Sequence, residues 1–230
     1  MASMQQRSFV LVPGAGGNAG YWQRVEPLIT DAGFHSLAVS LPNWPGATFN
    51  DQADAIVAAA GASESVTLVA QSMGAFSAPL TCARVPVAEL VLLNAMIPAP
   101  GETAGEWWVN TGQAAAMRAN DLREGREPGA GFDAQTHFLH DLPPDVLASL
   151  MSSGDEEPAD SLFEIPFPLD HWPDVLTTVL AGREDRFFPY DFQRRLAKDR
   201  LGLEVEGLPG GHLLAFSQPE ALVERLIRDL

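Results

Sequence analysis

Val66-Thr67-Leu68-Val69-Ala70-Gln71-Ser72-Met73-Gly74 is an apolar run that ends at a serine between small residues. A stretch of small residues with helical character follows it. Strand, sharp turn with a serine, and helix is the layout this order describes. A turn that tight strains its central residue, so the positions two before and two after must be small. Ala70 and Gly74 meet that need, although the commoner form has glycine at both ends. On this reading Ser72 stands above a parallel sheet at the positive end of a helix dipole.

A serine hydroxyl is a weak nucleophile near neutral pH, so it needs a base, and the base needs an orienting acid. On such a sheet the partners follow in the order serine, acid, histidine. Val179-Leu180-Ala181-Gly182-Arg183-Glu184-Asp185 describes a buried strand running into an acidic loop, and Gly210-Gly211-His212 sets a histidine in a glycine turn. His212 is the expected base and Asp185 the preferred acid, with Glu184 its competitor. Phe9-Val10-Leu11-Val12-Pro13-Gly14-Ala15-Gly16-Gly17 is a second strand, emptying into a glycine loop. Small residues let backbone N–H groups approach a developing oxyanion. The expected donors are Ala15 and, directly after the nucleophile, Met73. The same loop superficially resembles a dinucleotide fingerprint. No acid closes the next strand, however, which ends Val39-Ser40-Leu41-Pro42, and there is no G-K-[ST] ending for a P-loop.

These segments resemble the α/β-hydrolases, and within them the small serine esterases related to plant methylesterases and hydroxynitrile lyases. The resemblance rests on Phe9 to Ala15 with Trp22, the Ser72 turn, the Asp185 loop, and His212-Leu213-Leu214-Ala215-Phe216-Ser217-Gln218-Pro219-Glu220. It implies Ser72 as nucleophile, His212 as base, Asp185 as acid, and Ala15 with Met73 as oxyanion donors. Two departures stand out. Pro13 replaces the family's usual histidine, which removes a side chain that helps organise the oxyanion loop. Leu213 stands where the cyanide-releasing lyases carry a lysine, which counts against that chemistry.

The rest of the chain fits such a frame. Short apolar runs at Phe9–Val12, His35–Ser40, Val66–Ala70, Glu89–Leu93, Val175–Ala181 and Leu203–Glu206 alternate with helical stretches at Gly20–Ala32, Asp51–Gly61, Met73–Ala83, Pro189–Lys198 and Pro219–Leu230. Alternation of this kind predicts an α/β fold, a doubly wound, mostly parallel sheet of about six strands. Its active residues belong at the carboxyl ends of the strands. The pattern breaks between Ile97 and Asp174, a span too long for a loop and rich in proline, acids and aromatic residues. Residues 1–96 and 175–230 are therefore expected to form the core, with 97–174 inserted as a helical cap over the site. Its aromatic residues, Trp107 and Trp108 foremost, are the candidates to line a substrate pocket.

Composition narrows the partners. Among 230 residues, 30 acidic and 14 basic side chains give a formal net charge of -16, which disfavours nucleic acid and anionic membrane surfaces. The N-terminal stretch Met1–Arg7 has no apolar h-region, and no segment approaches a membrane-spanning length. The single cysteine, Cys82, excludes an internal disulfide and suits a cytoplasmic setting, with the thiol a small hydrophobe. His137 and His140 share a helical spacing but lack further ligands, so no metal site is expected. Asp155-Glu156-Glu157-Pro158 fits a solvated turn. The expected protein is a cofactor-independent serine hydrolase of a small ester or related carbonyl compound, with a homodimer left open. A lyase or carbon–carbon bond hydrolase using the same triad, and a non-catalytic ligand binder on this scaffold, are the alternatives.

Overall fold

Six strands, largely apolar in the centre and mixed at the edges, pair side by side in one sheet of order β2-β1-β3-β4-β5-β6, with every neighbouring pair parallel. The strands are β1 (Ser8–Val12), β2 (His35–Ala38), β3 (Val66–Gln71), β4 (Val87–Leu93), β5 (Thr177–Gly182) and β6 (Val205–Leu208). The computed structural model describes residues 7–127, 129, 131–153, 157–228 and 230. The N-terminal residues before Arg7, and Asp155 and Glu156 of the expected acidic turn, lie outside that set.

Side chains alternate across a strand, and here both faces are apolar, which is why both must be covered. Val10, Val12, Leu68, Ala70, Leu90, Leu92, Val179 and Ala181 face one layer, packed with the helices Phe49–Ala60 and Tyr190–Leu201. Phe9, Leu11, Val69, Val91, Leu93 and Leu180 face the other, with the helices Glu26–Asp31 and Pro219–Ile227. Thr48 starts its helix with a reciprocal capping box through Asp51.

The strand order places the functional crevice. From β1 the chain turns outward to β2, whereas β3 and β4 build on β1's other side. The loops after β1 and β3 therefore diverge at the carboxyl end of the sheet, where open α/β sheets bind ligands.

The segment between β4 and β5 carries the helices Ala104–Thr111, Gln113–Arg123, Ala134–His137, Pro144–Ser153 and Ser161–Glu164 and adds no strand to the sheet among the described residues. Arg200 anchors its start through paired hydrogen bonds to the Glu102 carboxylate and one to the Ile97 carbonyl at 2.6 Å. No helix among the described residues is long and apolar enough to cross a membrane.

Two local expectations fail for identifiable reasons. The stretch Met73–Ala83 is not one α-helix but two 3₁₀ segments, Ser72–Phe76 and Ala78–Thr81. Pro79 has no N–H to continue an α-helical ladder. The Ser77 and Thr81 hydroxyls bond back to the Gly74 and Ala78 carbonyls at 3.3 and 2.7 Å. The stretch from Gly20 to Ala32 likewise divides, into a 3₁₀ turn at Ala19–Trp22 and an α-helix that begins beside Pro27.

Candidate active site

Ser72 follows β3 directly with φ of +48°, a left-handed conformation that a non-glycine residue adopts at a cost. Its neighbours explain how the turn closes. A Cβ added at Gly74 would lie 2.5 Å from the Pro13 carbonyl oxygen, and one at Gly14 would lie 2.9 Å from the Ser72 Cβ. Glycine at 14 and 74 thus lets the β1 loop press against the serine turn. Among the described residues, no loop or turn hydrogen bond engages the backbone N–H of Ala15 or Met73. The Ser72 carbonyl accepts from Met96 N at 3.0 Å, tying the turn to the end of β4.

The two later loops meet beside it. A Cβ at Gly182, where β5 ends, would fall 2.3 Å from the Gly210 carbonyl oxygen, so only glycine permits the approach. His212 is buried, and its Nδ1 lies 2.8 Å from Asp185 Oδ2. The other Asp185 oxygen accepts the backbone N–H groups of Phe187 and Phe188 at 2.9 and 2.8 Å. These bonds fix the carboxylate's rotamer and leave one oxygen directed at the ring. Adjacent Glu184 turns the other way, accepting the Gly210 N–H and bracing the histidine loop. Of the two competing acids, Asp185 therefore faces the imidazole. The ring's other nitrogen, Nε2, lies 3.3 Å from the Gln71 carboxamide nitrogen. No hydrogen bond joins it to the Ser72 hydroxyl among the described residues.

Several contributors escaped the sequence reading. Asn94, just past β4 and also left-handed at φ +44°, is completely buried. Its amide donates to the carbonyls of Gly211 and His212 at 3.1 and 2.9 Å. Its oxygen accepts from Gly182 N at 2.8 Å and from Gln193 at 3.2 Å. One side chain thus locks the ends of β4 and β5 to the histidine loop. Asp141, from the segment between β4 and β5, accepts the Gly211 N–H at 2.6 Å. A polar residue after a strand has too many uses to single out from sequence, so no signal marked these.

Aromatic rings wall the imidazole. Phe138 stacks flat on His212, centroids 4.8 Å apart and planes 7° apart, while Phe187 and Phe188 meet it edge-on. Trp107 is fully buried, donates its indole N–H to the Ile97 carbonyl at 2.9 Å, and packs on Phe188 and Phe192. Trp108 is half-buried against Phe187 and Phe188. Both tryptophans thus stand one ring removed from His212, and Phe138 is the segment's direct contact with it.

The shared helical spacing expected of His137 and His140 is not realised. The short helix stops at His137, so the two imidazoles do not share a helical face. The His137 ring is engaged at both nitrogens, by the Asp133 backbone and by Asp121 at 3.3 Å. His140 packs against Gly211, and burial lowers its pKa, opposed by the Asp141 charge. Among the described residues no cluster of three metal-ligating side chains occurs. Burial pushes the Cys82 thiol up to about 12, so its reactive thiolate is scarcely formed near neutral pH.

Comparison with known structures agrees with this architecture. Polyneuridine aldehyde esterase superposes with a TM-score of 0.76 at 20% identity, covering 98% of this chain and 99% of that one. A methylesterase from Arabidopsis gives 0.72 at 19% identity, covering 96% and 98%. A pyrethroid hydrolase from Sphingobium faniae JZ-2 gives 0.71 at 21% identity, covering 96% of each. At such identities the likeness is one of fold. No curated protein matches the chain in sequence. The model of the alpha/beta hydrolase family matches residues 9–225, nearly the whole of the sheet with its serine, aspartate and histidine loops, and the chain belongs to that family.

Proposed function

We propose that the protein is a serine hydrolase of small esters that works without a cofactor, with Ser72 as nucleophile, His212 as base and Asp185 as acid. The observation that carries this reading is the buried His212–Asp185 pair, 2.8 Å apart, at the carboxyl edge where the Ser72 turn emerges. With its Nδ1 proton directed at Asp185, neutral His212 keeps a lone pair on Nε2 to take the Ser72 proton. Ser72 Oγ then bonds to the ester carbonyl carbon. The charge that develops on the carbonyl oxygen is met by the N–H groups of Ala15 and Met73, each such donor typically worth about 2.7–4 kcal/mol of barrier. His212 returns the proton to the leaving alkoxide, and water repeats the sequence to free the acid. The ester class also draws support from two structural neighbours, polyneuridine aldehyde esterase and a methylesterase.

The segment from Ile97 to Asp174 acts, in this reading, as a cap that shapes the acyl pocket while supplying no member of the triad. Phe138, flat on the imidazole, is its principal contact, with Trp108 behind Phe187. Phe138→Ala is expected to change the ratio of kcat/KM for short and bulky acyl esters by about tenfold, the scale on which apolar pockets discriminate. Labelling of Ser72 by a small fluorophosphonate should change less. A parallel fall in every rate would reduce Phe138 to a packing residue.

The function itself is tested by exposing the folded protein to a fluorophosphonate and mapping the modified peptide, beside a panel of short-chain, methyl and thio esters. Modification of Ser72 together with ester turnover is the expected result. A folded protein that takes no label would mark a ligand binder instead. Label without turnover of any ester would move the assignment to lyase or carbon–carbon bond chemistry.

A further inference from the structure

We infer that Gln71 is a positioning residue that holds the base idle in the resting protein, an inference that rests on the triad proposed above. The Gln71 side chain is buried, and its carboxamide lies between the β1 loop and the imidazole. On one side, Oε1 sits where a Cβ on Gly14 would come within 2.3 Å. On the other, Nε2 is 3.3 Å from His212 Nε2.

The roles of the two nitrogens follow from the far side of the ring. Nδ1 faces a carboxylate oxygen that accepts hydrogen bonds only, so Nδ1 carries the proton and Nε2 of the neutral ring is an acceptor. The Gln71 amide group is a donor. It therefore occupies the lone pair that the mechanism assigns to the Ser72 proton, and no hydrogen bond links Ser72 to the ring among the described residues. A base whose lone pair is engaged by a buried N–H holds the correct tautomer but is unavailable. Activation requires the carboxamide to rotate away so that the hydroxyl replaces it. A Cβ on Gly14 of the expected oxyanion loop would meet the carboxamide oxygen, so a substrate carbonyl seated on that loop lies beside the side chain that must move. Substrate entry and release of the base are thus one event.

Two substitutions with opposite expected signs test this. Gln71→Met keeps the length and removes the donor, and the rate of Ser72 phosphonylation at neutral pH should rise about two- to tenfold, the worth of one neutral hydrogen bond. In that labelling reaction the Ser72 oxygen bonds to phosphorus, fluoride leaves, and His212 takes the proton. Gln71→Glu keeps the shape but sets a carboxylate beside the ring, which favours imidazolium. Labelling should slow at neutral pH and recover in alkali, with the acid limb of the profile raised by about one pH unit or more. Should methionine disturb the packing, Gln71→Asn withdraws the donor by one methylene and should show the same gain. A purely structural glutamine would slow labelling in every variant without moving the acid limb, and that result would overturn the inference. Failure of the triad reading is distinct: neither the unaltered protein nor any variant would then be labelled at Ser72.

Discussion

Ser72→Ala should lose roughly 10⁶-fold in kcat on any ester the protein turns over, the scale of removing the nucleophile from a serine protease triad. Its melting temperature should stay within a few degrees. Alanine adopts the left-handed turn no worse than serine, and among the described residues the hydroxyl makes no hydrogen bond that its removal would orphan. The change therefore separates chemistry from folding cleanly. Ester hydrolysis by the variant at the unaltered rate would remove Ser72 from the mechanism, and with it the proposal of an acyl-enzyme.

Asp185→Asn is expected to cost about 10⁴-fold in turnover, the loss seen when the buried aspartate of a serine protease triad is replaced in this way. The structure supplies a local reason. Asparagine can keep its oxygen on the N–H groups of Phe187 and Phe188, which leaves its amide nitrogen toward His212. That nitrogen is a donor, so it stabilises the ring with Nδ1 unprotonated and the proton on Nε2. The lone pair is then on the wrong side for Ser72. Glu184→Gln should lose less than about tenfold, because a glutamine oxygen can still accept the Gly210 N–H that Glu184 now holds. Steady-state rates of the two variants on one ester decide the matter. A crippled Glu184 variant beside a nearly silent Asp185→Asn would reassign the acid while leaving the serine step in place.

The sheet was legible because its strands are short, largely apolar runs between turn residues, and the physics that buries them is local to each run. All six expected strands appear with ends moved by at most a few residues, β5 and β6 beginning two residues later than expected and β4 beginning two earlier. The helix after Ser72 was not legible as 3₁₀. Its composition is helical, and the outcome turned on Pro79 and on how closely the turn presses against Pro13. Trp107 and Trp108 were conspicuous by size, yet one lies wholly in the core with its N–H spoken for. The ring on His212 is Phe138, nothing in whose neighbouring residues distinguishes it.

What the sequence determined by itself is whatever depends on nearest neighbours: a parallel α/β sheet from alternating apolar runs, a serine turn from small flanks, and loops with an acid and a histidine at later strand ends. What only the tertiary structure decided is which polar groups face one another across those ends. Glu184 and Asp185 are adjacent and chemically alike, and their roles separate because Phe187 and Phe188 N–H groups fix one carboxylate toward His212 while Gly210 draws the other away. Asn94 and Gln71 are ordinary polar residues in the chain. They acquire their functions from partners more than a hundred residues away, Gly211 and His212, because a hydrogen bond depends on distance in space and not on separation along the sequence.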